Sequence, residues 1–466
     1  MTTTEPLERL LTEVPGLDAI LRGGLIKGAV YVVQGPPGAG KTILANQIGY
    51  RHAAAGGRVV YMTLMAETHA RMMQSLRGMA FFDPRLVPSA LHYLSGYKVL
   101  VEEGERGLAK LMYDEVKTKQ ASLFVLDGLF VVEELIGSRT TYRSFVHGLQ
   151  GYAGTAGCTT LLLTNADPGA GGDPEHTLVD GSIELARHTG DMRTVRTLQV
   201  HKTRGSDHLL GLHHLAIGDA GIAVHPRLDA LLSEPTATGG APTGRLPTGV
   251  AGLDAMLGGG IPVASTTILL GPSGVGKTTL ALVFLAGATP EAPAVMLGLF
   301  ETPPRLREKA RIIGLDLAGL EAAGAVELLW RPPLGHDPDA MGLDLLDATR
   351  RRGTARVVID TLGGIEQAAF FPGRLPLFFT ALANELRAAG VTTLYTAETP
   401  DLLGVSDLVR LPPYAGAMDN ILLMRLAERE GRLRRLLSVL KVRDSDFDHT
   451  VREYVISDGG IRVPAD

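Results

Sequence analysis

The sequence predicts an α/β protein of two tandem domains, each a mostly parallel twisted sheet with helices on both faces and a C-terminal β-hairpin. Three observations lead there. A glycine loop, Gly35-Pro36-Pro37-Gly38-Ala39-Gly40-Lys41-Thr42, follows an apolar run and opens a helix-like stretch, and it recurs as Gly271-Pro272-Ser273-Gly274-Val275-Gly276-Lys277-Thr278. The loop lysines are 277 − 41 = 236 residues apart, and at that offset Arg9 to Leu21 falls on Arg245 to Leu257, so the chain is internally duplicated. Within each copy, apolar runs of strand length alternate with stretches of helical period, the order that gives a parallel sheet covered on both faces.

Composition agrees with two packed domains. At 466 residues the chain exceeds one ordinary core, and 45% hydrophobic with 20% charged residues is the balance of a folded globular protein. Ser233 to Gly244 is rich in Pro, Gly and Thr without apolar periodicity, so 233–244 reads as an exposed linker between a first domain at 1–232 and a second at 245–466. A net charge of −5 supplies no overall attraction to nucleic acid or an anionic membrane. The single cysteine, Cys158, lies beside the apolar run Thr159 to Leu163; it excludes a disulfide framework and reads as a small buried hydrophobe. No apolar stretch approaches the ~18 residues of a membrane span, and the N-terminus lacks an apolar signal core. A cytoplasmic protein without a membrane partner is expected.

In the first copy a strand over Ala29 to Gln34 leads into the loop and a helix over Thr42 to Ala55 leaves it. Then come a strand at Arg58 to Leu64, helices at Thr68 to Gly78 and Leu108 to Gln120, a strand at Leu123 to Leu126, a helix at Thr141 to Ala156 and a strand at Thr159 to Thr164. Ser182 to Arg187 and Arg193 to Lys202 flank a turn-like spacer and predict an antiparallel hairpin. The second copy repeats the pattern with strands at Thr267 to Leu270, Ala294 to Leu299, Arg356 to Ile359 and Thr392 to Tyr395, and a hairpin from Ile421 to Val442. Arg350-Arg351-Arg352 before Gly353 reads as a helix C-terminus, cations near the negative end of the dipole and glycine as the cap.

The loops have the form of phosphate cradles. Glycines let successive backbone N–H groups converge on one anion, Lys41 and Lys277 reach β/γ-phosphates, and the Thr42 and Thr278 hydroxyls can ligate Mg²⁺ at a helix N-terminus. A nucleotide site needs a second metal anchor, and a carboxylate ending a buried strand serves: Asp127 after Leu123-Phe124-Val125-Leu126, and Asp360 after Val357-Val358-Ile359. Hydrolysis also needs a group that orients or deprotonates water, and Glu67 and Glu301 follow the next strand at suitable places. The same positions suit helix capping or dipole complementarity, since helices begin at Thr68 and Thr302. Lys202 with Arg204, and Lys441 with Arg443, close the two copies; cations two apart on a strand share a face and form two-pronged anion clamps, or a solvated strand face.

As a set, the duplicated loops, the strand-end aspartates, the Glu-Thr pairs and the terminal Lys-x-Arg-Gly-Ser and Lys-x-Arg-x-Ser resemble the KaiC family of RecA-like ATPases. The similarity spans nearly the whole chain, including the Gly-Leu-Asp lead-ins at Gly16 and Gly252. The resemblance implies two tandem RecA-like P-loop NTPase domains, assembled as a double-ring homohexamer that binds ATP and Mg²⁺ between subunits. It implies that Lys202, Arg204, Lys441 and Arg443 reach a neighbour's γ-phosphate, that His208 assists nucleotide binding in the first ring, and that the nucleotide state is read by a regulatory protein partner.

Departures from the family pattern narrow the expectation. The family's two adjacent glutamates are here Ala66-Glu67 and Phe300-Glu301, which points to slow hydrolysis or to a nucleotide-dependent scaffold with little turnover. The family's autophosphorylated Ser-Thr pair falls on Ala415 and Gly416, so a phosphorylation cycle is not expected. Asp444 replaces the glycine of the second clamp, and the sequence closes at Asp466 without the long tail that the clock's activating partner binds. A DNA-dependent recombinase of the same fold would need basic, aromatic loops, which the sequence does not supply.

Overall fold

The computed structural model describes residues 7–65, 69–165, 178–236, 243–399 and 411–464. Contacts divide the chain between Leu231 and Leu232 into two units. In the first, nine strands form one sheet: β1 (Val30–Gln34), β2 (Val59–Thr63), β3 (Leu91–Ser95), β4 (Leu123–Asp127), β5 (Thr159–Thr164), β6 (Gly181–Gly190), β7 (Arg193–Thr203), β8 (His213–Gly218) and β9 (Gly221–His225). Their order is β9-β8-β7-β6-β1-β5-β4-β2-β3. The strands from β3 through β6 are parallel, and β7, β8 and β9 extend the sheet antiparallel. Alternation along the strands fills two cores: Tyr31 and Val33 face one apolar cluster, Val30 and Val32 the other.

The second unit repeats this with β10 (Thr266–Gly271), β11 (Ala294–Gly298), β12 (Val326–Trp330), β13 (Arg356–Asp360), β14 (Thr392–Glu398), β15 (Asn420–Arg429), β16 (Arg432–Val442), β17 (Arg452–Ser457) and β18 (Gly460–Arg462). Its order, β18-β17-β16-β15-β10-β14-β13-β11-β12, is the first order strand for strand. In both sheets the loop strand is central, so buried strands flank its carboxyl end, where ligands of open parallel sheets sit. The Gly-Leu-Asp lead-ins fix the approach: Asp18 accepts from Thr12 N and Oγ1, as Asp254 does from Thr248.

Elements absent from the sequence reading are mostly at the edges. β3 and β12 are half-exposed outer strands whose polar residues break the apolar run, and β8–β9 and β17–β18 lie beyond the expected hairpins. The helix expected from Leu108 starts at Tyr97; Gly104, at φ 69°, kinks it within an acidic stretch and hides its period. A short helix at Leu129–Ile136 was also not expected. Arg350–Arg352 do end a helix, capped by left-handed Gly353. Cys158 is buried, and burial pushes its thiol up to about 12. Ser233 to Thr236 of the linker are exposed, and 237–242 lie outside the described residues. No helix among the described residues is long and apolar enough to cross a membrane.

Candidate functional site

Each glycine loop turns from the carboxyl end of its central strand into a helix, Lys41–Ala54 or Lys277–Ala286. Gly40 and Gly276 are the N-caps, both at φ 113°, where a side chain would be strained and its Cβ would meet Ile217 or Ile456. The helix N–H groups therefore stay open toward the loop. Lys41 and Lys277 are buried; Lys41 Nζ donates to the carbonyls of Gly35 at 2.6 Å and Pro36 at 3.1 Å, and Lys277 Nζ to Gly271 and Pro272 at 2.8 Å each. Burial holds both ammonium groups below the usual lysine range, a shift that Asp127, or Glu398 with Asp360, partly opposes.

Thr42 Oγ1 donates to Asp127 Oδ2 at 3.0 Å, and Thr278 Oγ1 to Asp360 Oδ2 at 2.9 Å. A hydroxyl and a carboxylate this close, beside an anion cradle, are an oxygen donor set suited to a hard divalent cation. Clefts of about 360 Å³ and about 390 Å³ open over the two loops and include these residues. The residues present thus fit Mg²⁺ with a nucleoside triphosphate.

Glu67 lies outside the described residues. Glu301 lines the second cleft, and its carboxylate is ion-paired with Lys309 of the helix Pro303–Ile312; it makes no cap to that helix, whose N-cap is Thr302.

The clamps lie elsewhere. Lys202 pairs in register with Ser182 near the start of β6, and Arg204 follows at the amino edge of the sheet. Lys202 Nζ donates to Val179 O at 2.7 Å, and Arg204 Nη1 meets Asp180 Oδ1 at 3.4 Å. In the second unit Lys441 Nζ donates to Met418 O at 2.7 Å and Arg443 Nη1 meets Asp419 Oδ1 at 3.3 Å. Asp180 bonds the first residue of β1, whereas the loop follows the last, so clamp and loop of one unit are ~13 Å apart along the strand at ~3.3 Å per residue. His208, half-buried in the turn after β7, has both ring nitrogens enclosed without a hydrogen-bond partner among the described residues.

Several contributors escaped sequence reasoning. Tyr61 donates to Asp127 Oδ2 at 2.8 Å, and Thr396 donates to Asp360 Oδ1. Glu398 ends β14 with Oε1 3.9 Å from Lys277 Nζ. A tyrosine or threonine inside an apolar strand carries no motif of its own. By contrast, Asp180 and Asp419 were visible in principle, because 419 − 180 and 441 − 202 are both 239.

The fold and the paired loops define a tandem P-loop nucleoside triphosphatase of RecA-like architecture. A family model for the KaiC ATPase matches residues 10–229 and again 246–466. The chain belongs to the KaiC family. Circadian clock protein KaiC3 of Synechocystis sp. is 25% identical to it over 99% of this chain and 92% of its own. Circadian clock oscillator protein KaiC of Picosynechococcus sp. is 25% identical over 98% of this chain and 90% of its own, and that of Acaryochloris marina 24% over 98% and 88%.

Proposed function

We propose that this chain is an Mg-ATP-dependent ATPase that works as a homohexamer, hydrolyses ATP slowly at sites between subunits, and acts as a nucleotide-state switch for a regulatory protein partner. The observation that carries the reading is the separation, in both units, of a cation clamp at the amino edge of the sheet from a phosphate loop at its carboxyl edge. A ring that sets one subunit's amino edge against the next subunit's loop completes both. The identities of the relatives, which are named as clock proteins, support a regulatory output.

In this reading Lys41 and Lys277 leave their loop carbonyls to hold the β/γ-phosphates, and the loop N–H groups orient the chain of phosphates. Thr42 with Asp127, and Thr278 with Asp360, hold magnesium, which when bound neutralises charge between the β- and γ-phosphates. Glu67 and Glu301 orient the attacking water; Glu301 must exchange Lys309 for it, which fits slow turnover in the second domain. Lys202 and Arg204, or Lys441 and Arg443, stabilise γ-phosphate charge on the neighbour, and His208 offers a ring nitrogen to the same nucleotide. ATP turnover with native mass spectrometry tests this. Rings that form with ATP, and turnover abolished in Lys41→Ala/Lys277→Ala, are expected. A monomer under all nucleotide conditions, or turnover equal to that double variant, overturns the reading.

A further inference from the structure

We infer that Asp180 and Asp419 are positioning residues for the trans-acting arginines, holding Arg204 and Arg443 ready for the neighbouring subunit's phosphate; the inference rests on the trans-site reading above. The two repeats build the arrangement with the same atoms. Asp180 Oδ2 accepts from Val30 N at 3.0 Å and Oδ1 meets Arg204 Nη1 at 3.4 Å; Asp419 Oδ2 accepts from Thr266 N at 2.9 Å and Oδ1 meets Arg443 Nη1 at 3.3 Å. The backbone closes the same loop, with Arg204 N donating to Asp180 O and Arg443 N to Asp419 O. The residue before each aspartate, Val179 or Met418, takes the lysine of the clamp on its carbonyl. Two consecutive residues therefore hold both prongs.

Fold stability does not account for this. The arginine side chains are 56% and 63% exposed, and ion pairs so open to water contribute little to stability. The aspartates, in contrast, are mostly buried, at 19% and 7% exposure, and anchored by the β1 or β10 backbone, so the carboxylate is the fixed partner and the guanidinium the one steered. Nη1 of each guanidinium meets the carboxylate; the other donors of Arg204 remain available in a fork suited to phosphate, while Nε of Arg443 also faces Asp444 at 3.8 Å. A long flexible side chain otherwise spreads over many rotamers, and holding it near its working direction removes that entropy from the reaction step.

The two copies also differ in what else each aspartate binds, which bears on the expected sizes. Asp180 takes its remaining hydrogen bond from neutral Gln150 at 2.7 Å, whereas Asp419 also binds Arg387 Nε and Nη2 at 3.2 and 2.9 Å. Asp419 divides its charge between two arginines, so it steers Arg443 less strongly than Asp180 steers Arg204.

The test uses full-length rings with the second site silenced by Lys277→Ala. Asp180→Asn should retain ring assembly and ATP binding while turnover falls about tenfold to hundredfold, the scale of a misplaced catalytic group. Mixing it with Lys41→Ala rings should restore turnover, because each variant supplies what the other lacks at a shared interface. Wild-type turnover by Asp180→Asn overturns the inference. So does a loss that mixing fails to rescue when Arg204→Ala is rescued by the same partner, which marks a merely structural role. If Arg204→Ala is not rescued either, the trans-site reading itself fails. Should Asp180→Asn not assemble, Asp419→Asn in a Lys41→Ala background puts the same question with a smaller expected loss.

Discussion

The two clefts share one strand order but secure the strand-end aspartate from opposite neighbours. In the first, Tyr61 reaches Asp127 from β2 on one side; in the second, Thr396 reaches Asp360 from β14 on the other. The register pairs Asp127 with Leu163 on β5 and places Met296 at the second-unit counterpart of Tyr61, so each unit lacks the donor the other uses. A second difference is charge. Glu398 faces Lys277, while Asn165 occupies the equivalent place in the first cleft, one step past the strand pairing of Gln34 with Thr164. The comparison teaches that one loop scaffold can be kept while the charges around it differ. In the second unit Glu301 is held by Lys309 and Glu398 lies beside the loop lysine, while at the opposite edge Asp444 sits beside Arg443.

The largest expected effect breaks the comparison at the clamps. Arg204→Ala should cost first-domain turnover about 10³-fold or more, and Arg443→Ala clearly less, because Asp444 already lies 3.8 Å from Arg443 and weakens its field. Domain-resolved rates in Lys277→Ala and Lys41→Ala backgrounds check this; equal losses would remove the asymmetry.

Asp360→Asn should abolish magnesium-dependent nucleotide binding by the second domain yet raise its ligand-free melting temperature. Burial holds the Asp360 carboxyl above its usual range, so its ionised form opposes folding above that raised value, and the opposition disappears as pH falls below it. At neutral pH the amide lifts it permanently, and the threonine hydroxyls can turn to accept. Calorimetry should find the gain from the substitution shrinking as the pH is lowered toward acid; a lower melting temperature at pH 7 would contradict the sign.

Glu398→Asn, which makes the second cleft like the first, should tighten nucleotide binding there about threefold to tenfold, the scale of one partly exposed charge. Isothermal titration in a Lys41→Ala background reads it, and unchanged affinity would show Glu398 to be a bystander. The smallest effect is expected from the aspartate supports: Tyr61→Phe and Thr396→Val should each lower stability by about 1 kcal/mol, a typical net hydrogen bond, in the domain affected. Urea denaturation measures both, and a loss in the wrong domain would refute the assignment of supports.

Much of this site could be read along the chain because the cradle is a local device. Gly35 to Thr42 and Gly271 to Thr278 specify their own turn and helix start, and the apolar runs before Asp127 and Asp360 specify buried strands ending in a carboxylate. The duplication, the family resemblance and the strand-end aspartates needed no third dimension. Edge strands β3 and β12 were not legible, since half-exposed residues lack the apolar signature of central ones.

What the sequence by itself determined is therefore the local pattern: two glycine loops, two strand-end carboxylates, two pairs of alternate cations, and the repeat that relates them. Tertiary structure alone decided which groups share an edge. It brought Tyr61 and Thr396 to the aspartates, and put Asp180 and Asp419 beneath the clamp arginines at the edge away from the loops. The physical reason is that strand order and register, fixed by burial of both sheet faces, set the neighbours of a residue more than 20 positions away, and no local pattern encodes that pairing.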